Sequence, residues 1–553
     1  MNNLNGWELM RKINYVKNII NAILSCACIL SCKTPPPVPE QSNGKDYAQE
    51  RPAIIDTSTL AIAFSGSSIE LDYRKSYLAH EAQFYTAIYE GLFSYHPLTM
   101  EPIPAAAEKW LSEDKKIWVF KIRNEAHFSN GDDLSAEDFR TAWFSVIDPK
   151  SNSPYSSLFD IISGAREWRL GELNDKDKVG IRALDKKTLQ ITLVTPAAFF
   201  PSMLCHHSFS PIHPSMVGVE DWNKKKIISN GPFYILSNEE NKITLARNEE
   251  YWGASDVELK KIFVKYAENA DESAALWNSG ECRWISGDVN IDMLTDLSGI
   301  VVNPMFATHY YYICSIRDPW NNHNIRRALM LSLPWEEIRK GYYMPAKTLI
   351  YPIQGYPEIA GVDKTDIEEA RKILTEAGYE GGAGLPELVV RLTPSRESER
   401  IGTIMYQAWH EQLGVPVKIE VKPFGEYFDS LKKADYDVGS STWIGDFADP
   451  YTFLQMWRKD SNLNDAKNND VDFEKLIDKS MGEEGDKRWK TLSQAEELLL
   501  SHGTVLPISY SFAVNIIDLS EIDGWYGNVL DIHPFKYLSF KTYKPLPGVV
   551  MAR

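Results

Sequence analysis

Trp443-Ile444-Gly445-Asp446-Phe447-Ala448-Asp449-Pro450 is the stretch around which the fold prediction is built. It follows Tyr436-Asp437-Val438, which has strand character, and it ends in a proline that can start a helix. The carboxylate of Asp446 stands between two aromatic residues, Trp443 and Phe447. A buried charge without a partner loses its hydration, so this carboxylate is placed to hold a cation, and a primary ammonium suits it.

The alternative interpretation is an ordinary loop aspartate that caps the helix after Pro450. Aspartate caps of this kind are common, so the stretch alone favours the cap. The rest of the chain decides between the two interpretations.

The composition indicates a multidomain globular protein. A chain of 553 residues exceeds the size at which one hydrophobic core stops growing. The 27 Tyr, 22 Phe and 16 Trp make it rich in aromatic side chains, which suit a ligand groove. The formal net charge of -17 and the absence of a Lys/Arg-rich block argue against nucleic acid as a partner.

The N-terminus resembles a lipoprotein signal peptide. Basic residues precede an apolar run over residues 19–32 that is too short to span a bilayer comfortably. The run ends in Ile29-Leu30-Ser31-Cys32, which resembles the lipobox of bacterial lipoproteins, so Cys32 is predicted to carry the lipid. Cys26 ends a second, less favourable match, and an uncleaved N-terminal anchor is the other alternative. Each of these interpretations holds the exported chain at a membrane.

A proline-rich tether is predicted to follow the lipidated cysteine. Residues 33–49 carry four prolines and no periodicity, and the fold is predicted to start near Ser58. The cysteines that remain are Cys205, Cys282 and Cys314. An odd number cannot all pair, so we expect buried, unpaired thiols.

Periodicity predicts an α+β first half and an α/β region after residue 325. Strands are predicted at Leu60–Phe64, Ile117–Arg123, Thr188–Val194, Leu388–Leu392 and Val415–Val421. Helices are predicted at Ser76–Glu90, from Ser135, and at Ile325–Leu333, Asp366–Ala377 and Arg396–Leu413. Two final strand-rich stretches, Val505–Ser511 and Asp531–Phe540, are predicted to return to the first lobe.

Taken together, the segments resemble the oligopeptide-binding proteins of bacterial ABC transporters, in extracytoplasmic solute-binding protein family 5. The resemblance covers the chain from about Ser58 to about Phe540. Its order and spacing are specific, although each motif alone is weak evidence. The motifs are Tyr89-Glu90-Gly91-Leu92-Phe93, Phe128-Ser129-Asn130-Gly131-Asp132, Ser153-Pro154-Tyr155, Ser229-Asn230-Gly231-Pro232-Phe233, Tyr310-Tyr311-Tyr312, Ile325-Arg326-Arg327-Ala328-Leu329 and Trp443 to Pro450.

The resemblance implies a two-lobed type II periplasmic-binding-protein fold, α/β in class and α+β overall, with an extra domain inserted in the first lobe and a hinge between lobes. The predicted divisions are a signal peptide at 1–31, the lipidated cysteine and tether at 32–57, lobe I at 58–89, the inserted domain at 90–211, lobe I again at 212–307, lobe II at 308–508 and a return to lobe I at 509–553.

The resemblance also implies the ligand-binding residues. Asp446 matches the position that pairs with the α-ammonium of a peptide, and Trp443 sits beside it. Tyr155, Tyr311 and Phe424 match positions that contact peptide or line a side-chain pocket, although each aromatic residue could instead simply pack in the core. Ser440 departs from the family, because it stands where an arginine can meet the C-terminal carboxylate, and this leaves the preferred peptide length open.

The predicted function is a lipid-anchored, monomeric receptor that captures short peptides and delivers them to ABC transporter permease subunits. No cofactor is expected. The alternative within the family is a binder of a metal chelate, haem or sugar, but Cys205-His206-His207 and His213 are interpreted as structural because adjacent strand residues point to opposite faces. A hydrolase is disfavoured, because Gly-x-Ser-x-Gly, His-Glu-x-x-His and a phosphate loop are all missing. An adhesin on the same fold stays open.

Overall fold

Eighteen strands form in the part of the chain that the structure describes. The computed structural model describes residues 56–66, 68–433 and 435–541, without the side chains of Phe424 and Gly425. The predicted signal peptide, Cys32 and nearly all of the tether lie outside the described residues. The strands in chain order are β1 Thr59–Ser65, β2 Phe93–Tyr95, β3 Pro102–Pro104, β4 Ala107–Leu111, β5 Ile117–Ile122, β6 Ile181–Asp185, β7 Thr188–Thr192, β8 Phe233–Glu239, β9 Lys242–Arg247, β10 Lys261–Ala267, β11 Trp284–Ser286, β12 Ile300–Ile313, β13 Leu388–Leu392, β14 Val417–Val421, β15 Val438–Ile444, β16 Val505–Ile517, β17 Ile522–Asp523 and β18 Ser539–Phe540.

Ten of these strands form one long mixed sheet. Their order is β14-β13-β15-β12-β16-β11-β1-β10-β9-β8. The two longest strands, β12 and β16, lie side by side and antiparallel near the middle. They join the half that contains β13, β14 and β15 to the half that contains β1 and β8 to β11.

The register of β12 against β16 breaks at the point where the two halves meet. Val302 pairs with Val514 before the break, and Thr308 pairs with Tyr510 after it. Beyond the break, β12 also pairs with β15 on its other edge. The predicted lobe boundaries near residues 308 and 508 lie beside this break, and the division into lobes stays a prediction.

Smaller sheets belong to the segment that was predicted as an inserted domain. The strands β4-β5-β7-β6 form an antiparallel sheet, and β2 pairs with β3. The helix Ala136–Val146 packs against β6 and β7 and begins with a capping box. In this box the backbone N–H of Ser135 donates to the carboxylate of Asp138 at 2.7 Å, which satisfies an N-terminal amide.

Most predicted helices are confirmed, most with shorter bounds, and the helix predicted at Ile325–Leu333 begins and ends two residues earlier. The α-helices are Ala79–Ile88, Ala136–Val146, Ala165–Arg169, Phe200–Met203, Ala270–Asn278, His323–Leu331, Trp335–Ile338, Ile367–Glu376, Arg396–Tyr406, Phe424–Leu431, Tyr451–Leu454, Val471–Met481 and Gly485–Ser501. The helix predicted at Arg396–Leu413 changes to a π-helix over Gln407–Gln412. In the described part of the chain, no helix is both long enough and apolar enough to cross a bilayer.

The prediction of a strand-rich Asp531–Phe540 is wrong. Only Ser539–Phe540 pairs, in a two-stranded sheet with Ile522–Asp523. The side chain of Gln83 instead satisfies the backbone of His533. Its Nε2 donates to the carbonyl of His533 and its Oε1 accepts from the N–H, both at 2.7 Å. Because a side chain takes these backbone bonds, the segment needs no neighbouring strand.

The remaining cysteines are unpaired, as predicted. Cys282 and Cys314 are buried, whereas Cys205 is partly exposed.

Glu496 is a fully buried carboxylate, and its burial should make the free energy of unfolding depend on pH. It accepts hydrogen bonds from the backbone of Ile350 at 2.8 Å and the hydroxyl of Tyr356 at 3.0 Å, and burial raises its pKa to about 7. Between pH 4.5 and 7 the unfolded chain ionises this group while the folded chain keeps the proton. The free energy of unfolding therefore falls as pH rises through this window, by roughly 3 kcal/mol.

Glu496→Gln lacks this titration and keeps the size and an acceptor oxygen. We expect the variant to gain stability over the wild type as pH rises from 4.5 to 8, in urea unfolding. A stability difference that is the same at both pH values contradicts the prediction.

Candidate functional site

Asp446 lies in the turn between β15 and the helix Tyr451–Leu454. Its backbone N–H donates to Oγ1 of Thr452 at 2.8 Å, and that hydroxyl donates to the Asp446 carboxylate at 3.1 Å. The hydroxyl of Tyr155 donates to the other carboxylate oxygen, also at 3.1 Å. The residue is only 9% exposed. Its position and orientation are therefore fixed by three hydrogen bonds before any ligand arrives.

The residue before Asp446 must be a glycine. A Cβ at Gly445 would stand 2.5 Å from the ring of Phe306, closer than atoms can approach. The backbone of Gly445 also donates to the carbonyl of Phe306 at 2.8 Å. This close contact brings the end of β15 against β12 and directs the following turn.

The Asp446 carboxylate has no cationic partner within the described ranges. Its nearest basic atom is Nε2 of His206, at 3.6 Å. Burial and the neighbouring His207 lower the pKa of His206 well below its usual value, so this ring is neutral. Burial raises the pKa of Asp446 to about 7, against the opposing hydrogen bonds from Thr452 and Tyr155. A cation that entered here would relieve the cost of this buried charge.

The helix cap predicted as the alternative role of Asp446 belongs to Asp449 instead. Asp449 Oδ1 accepts from the backbone N–H of Tyr451 at 2.9 Å, at the first residue of the helix. The same carboxylate binds Arg488 through two hydrogen bonds, at 2.7 and 2.9 Å. The interpretation of Asp446 as the cap is therefore wrong. Asp449 has a cationic partner, Arg488, whereas Asp446 has none within the described ranges.

Asp446 faces a cavity of about 210 Å³. One wall comes from Tyr155, His206, Ser286 and positions 77–80, 82, 83 and 530–532. The other wall comes from positions 310, 312, 428, 431, 432, 441–446, 456, 457, 463, 465 and 466. The two halves of the long sheet thus contribute opposite walls, and the cavity lies beside the β12–β16 junction.

Six consecutive residues, 441–446, line the cavity. Side chains alternate between the faces of a strand, so a consecutive run lines a cavity with its backbone edge. One edge of this stretch pairs with β12. On the other edge, β13 pairs with β15 at Val438, before this stretch begins. The second half of β15 therefore has one edge without a strand partner among the described residues.

Three of the predicted site residues come together at this cavity: Asp446, Trp443 and Tyr155. Trp443 is held by a hydrogen bond from its Nε1 to the carbonyl of Thr452 at 3.1 Å. The ring of Tyr155 lies 4.4 Å from His206 and 6.4 Å from Trp443, measured between ring centroids. These aromatic groups surround the carboxylate and favour a cation there.

Of the other two predicted site residues, Tyr311 does not join them. Tyr311 is fully buried and is not part of the cavity lining, whereas its neighbours Tyr310 and Tyr312 are. The strand alternation of β12 turns Tyr311 to the opposite face, against Ser440 of β15. The side chain of Phe424 lies outside the described residues.

His206 and His207 differ from their sequence interpretation. They lie at the start of a short 3-10 helix rather than on a strand, and their ring centroids are 4.1 Å apart. The expectation that they point to opposite faces is therefore wrong. Within the described ranges, no group of three or more His, Cys, Asp or Glu residues is arranged to hold a metal ion.

The sequence interpretation missed Thr452, His206, Tyr310 and Tyr312. Thr452 could have been found from the sequence, because a hydroxyl six residues after the aspartate sits in the helix that Pro450 starts. His206 comes from a segment 240 positions earlier in the chain, and nothing local marks its approach to Asp446.

A cavity to which both halves of a continuous sheet contribute residues is typical of a solute-binding protein with the type II periplasmic-binding-protein fold. The comparisons with known proteins then give its family. The chain belongs to the bacterial extracellular solute-binding proteins of family 5, because the model "Bacterial extracellular solute-binding proteins, family 5 Middle" matches residues 101–465. The resemblance inferred from the motifs is confirmed.

Individual relatives agree with this assignment. The chain is 30% identical to the oligopeptide-binding protein OppA of Bacillus subtilis, over 72% of this chain and 77% of the relative. Among solved structures, an oligopeptide-binding protein of Borrelia burgdorferi superposes with a TM-score of 0.78 at 23% identity, covering 87% of this chain and 100% of that one. Haemophilus influenzae OppA in complex with the peptide RPPGFSPFR gives a TM-score of 0.76 at 24% identity, covering 88% and 99%.

Because Asp446 is buried, its carboxyl group should titrate at a higher pH than that of an exposed aspartate. In the ligand-free protein we expect its carboxyl group to titrate with a pKa of about 7. Thr452→Val should raise this pKa further, because the hydroxyl of Thr452 donates to the ionised form. Carboxyl ¹³C NMR measures both, and Asp446→Asn assigns the signal by removing it. A midpoint near pH 4 would show that the carboxylate is solvated.

Proposed function

We propose that this protein binds short peptides in the cavity and that Asp446 receives their N-terminal ammonium. The observation that carries this proposal is a buried, pre-oriented carboxylate without a cationic partner in the described ranges. An ammonium supplies the missing charge and up to three N–H donors. The names of the B. subtilis and H. influenzae relatives support a peptide over a metal chelate, haem or sugar.

The open edge of β15 supports recognition of the peptide backbone. An extended ligand can add to main-chain groups of residues 441–446 in the manner of a further strand. Peptide main chains are the same whatever their side chains, so binding of this kind tolerates many sequences. Water in the remaining space can adjust to different side chains.

The aromatic residues have separate roles in this proposal. Trp443 packs beside the ammonium, and Tyr155 holds the carboxylate from the opposite wall. Tyr310 and Tyr312 take the contact that was expected of Tyr311, and Phe424 is retained as a candidate for a side-chain pocket.

Closure of the two walls over the peptide is the proposed working motion. β12 and β16 are the natural hinge, because they join the two halves of the sheet and their register breaks between them. A peptide that contacts both walls binds the closed form better and shifts the population toward it. In this proposal residues 58–89, 212–307 and 509–553 form lobe I, 90–211 the inserted domain and 308–508 lobe II.

The protein delivers its peptide to the permease of an ABC transporter and catalyses no reaction. Lipid on Cys32 and the tether at 32–57 hold the exported monomer at a membrane in this proposal, so that loaded protein stays near the permease. Mass spectrometry of the membrane-extracted protein tests the lipid on Cys32 separately from peptide binding.

Removal of the Asp446 charge is the central test. We expect Asp446→Asn to weaken binding of unblocked peptides by about 100-fold or more, because a buried charge pair is lost. Native mass spectrometry of the gently purified protein should show co-purifying peptides in the wild type and none in the variant, and calorimetry measures the affinities.

Glu496→Gln is the matched control, since Glu496 is also a buried carboxylate with a pKa raised to about 7 but is not part of the cavity lining. It should bind peptides like the wild type. N-acetylated peptides should bind the wild type as weakly as unblocked peptides bind Asp446→Asn. A single non-peptide mass, or peptides bound equally by wild type and Asp446→Asn, would overturn the assignment.

Peptide affinity should also depend on pH. Ammonium binding requires ionised Asp446, so affinity should fall as pH drops below about 7, approaching tenfold per pH unit. Above about pH 8 the peptide loses its own amino proton, so the optimum lies between these values. Calorimetry in buffers of different ionisation enthalpy should detect proton release on binding at pH 6. A flat profile from pH 5 to 8 contradicts the role of Asp446.

A further inference from the structure

A second set of contacts joins the two walls of the cavity without using β12 or β16. One side is the segment 153–169, which carries Tyr155, and the other is the segment 455–462, which carries Trp457. Tyr155 and Trp457 line the cavity on opposite walls. The contacts between these two segments are called the seam below.

Asp460 is the centre of the charged part of the seam. Its Oδ2 accepts a hydrogen bond from Nη2 of Arg166 at 2.6 Å, and its backbone carbonyl accepts from Nη1 of Arg169 at 2.8 Å. Nη2 of Arg169 also lies 3.3 Å from Oδ1 of Asp460. Burial opposes ionisation of Asp460, but the charges of Arg169 and Arg166 outweigh it and lower the pKa of the carboxyl group. One carboxylate of the segment 455–462 therefore binds two guanidinium groups of the other segment.

Neutral hydrogen bonds extend the seam to both sides of Tyr155. Nδ2 of Asn462 donates to the carbonyl of Ser153 at 2.7 Å. The hydroxyl of Ser157 donates to Oε1 of Gln455 at 3.2 Å. Ser153 and Ser157 lie two residues before and two residues after Tyr155. These bonds therefore hold the backbone around Tyr155 against the opposite wall.

The charged part of the seam can separate without leaving Arg169 unpaired. Asp160 accepts two hydrogen bonds from Arg169, at 2.7 and 2.6 Å, and both residues belong to the segment 153–169. This pair persists when the two segments move apart. The side chains of Arg166 and Asp460 are 32% and 13% exposed, so their rehydration costs less than that of a fully buried ion pair. The seam is therefore suited to reversible opening.

The bonds of the seam do not depend on a ligand. The residues that form them are not part of the cavity lining, so a bound peptide neither makes nor breaks them directly. A contact between the walls stabilises the form in which the walls are together, whether the cavity is filled or not. Its contribution therefore adds to that of the peptide.

We propose that the seam is a latch, centred on Asp460, which holds the two walls together both before and after a peptide binds. The inference rests on the proposed function, since it takes the walls to close over a ligand. A peptide enters and leaves while the walls are apart, so the latch slows both entry and exit. Its strength sets how long a captured peptide is retained.

Asp460→Asn tests the latch, because it removes the charge and keeps the size of the side chain. Asp478→Asn is the matched control. The Oδ1 of Asp478 accepts from Nη2 of Arg458 at 2.6 Å, but this ion pair does not involve the segment 153–169. Small-angle X-ray scattering measures the radius of gyration of the ligand-free proteins. Stopped-flow tryptophan fluorescence measures the association and dissociation rates of an unblocked tetra-alanine peptide.

We expect Asp460→Asn to have a larger radius of gyration than the wild type and Asp478→Asn. Its dissociation rate should rise about fivefold, and its association rate should rise as well. A damaged binding site would instead slow association, so a rise in both rates identifies a latch. Arg166→Gln should give the same changes, and the double variant should add little to them, because both substitutions remove one contact.

Two results overturn the latch. One is a radius of gyration and both rates that equal those of the wild type in Asp460→Asn and Arg166→Gln. The other is faster dissociation without faster association, or the same changes in Asp478→Asn. If no unblocked peptide binds the wild type, the proposed function fails, whereas the scattering comparison, which needs no ligand, still decides whether the seam holds the walls together.

Discussion

The antiparallel pairing of β12 with β16 is the constraint on which the rest of the molecule depends. These strands are 14 and 13 residues long and are the elements shared by both halves of the sheet. One half carries Asp446 at the end of β15, and the other carries the segments that face it. Because the register changes between Pro304 and Thr308, the two halves meet at an irregular junction rather than along a uniform ladder. The cavity lies beside this junction, where Tyr310 and Tyr312 of β12 contribute to its lining.

Three buried carboxylates show how environment separates structure from function. Asp449 has Arg488 as a bidentate partner and caps a helix. Glu496 has neutral donors and, with its raised pKa, destabilises the fold at high pH. Asp446 also has neutral donors, but it faces a cavity, so a cation from outside the chain can supply the missing positive charge. The same functional group bonds a helix terminus, lowers stability at high pH or, in the proposed function, receives the ammonium of a ligand, depending on which positive charge can reach it.

Much of this arrangement could be predicted from the sequence, and the exceptions have physical causes. Asp446, Trp443 and Tyr155 were identified because the aromatic flanks and ordered motifs are local features. Tyr311 was taken from the family resemblance; three consecutive tyrosines give no local indication of which one faces the cavity, and one residue of register decides it. The return segment at Asp531–Phe540 was assigned to strands because the role of Gln83, 450 positions away, is invisible in the local pattern. His206 was missed for the same reason, since tertiary contacts alone bring it to the cavity.

Residues 530–532 belong to the first wall, so the cavity is completed late in the synthesis of the chain. This wall also uses positions 77–80, 82 and 83, so the cavity joins parts of the chain that are made more than 400 residues apart. A nascent chain that has emerged only as far as β16 contains Asp446 and most of its surroundings but lacks residues 530–532 of the first wall. The enclosure of the cavity is therefore complete only once residues 530–532 have been made, late in the synthesis and folding of this polypeptide.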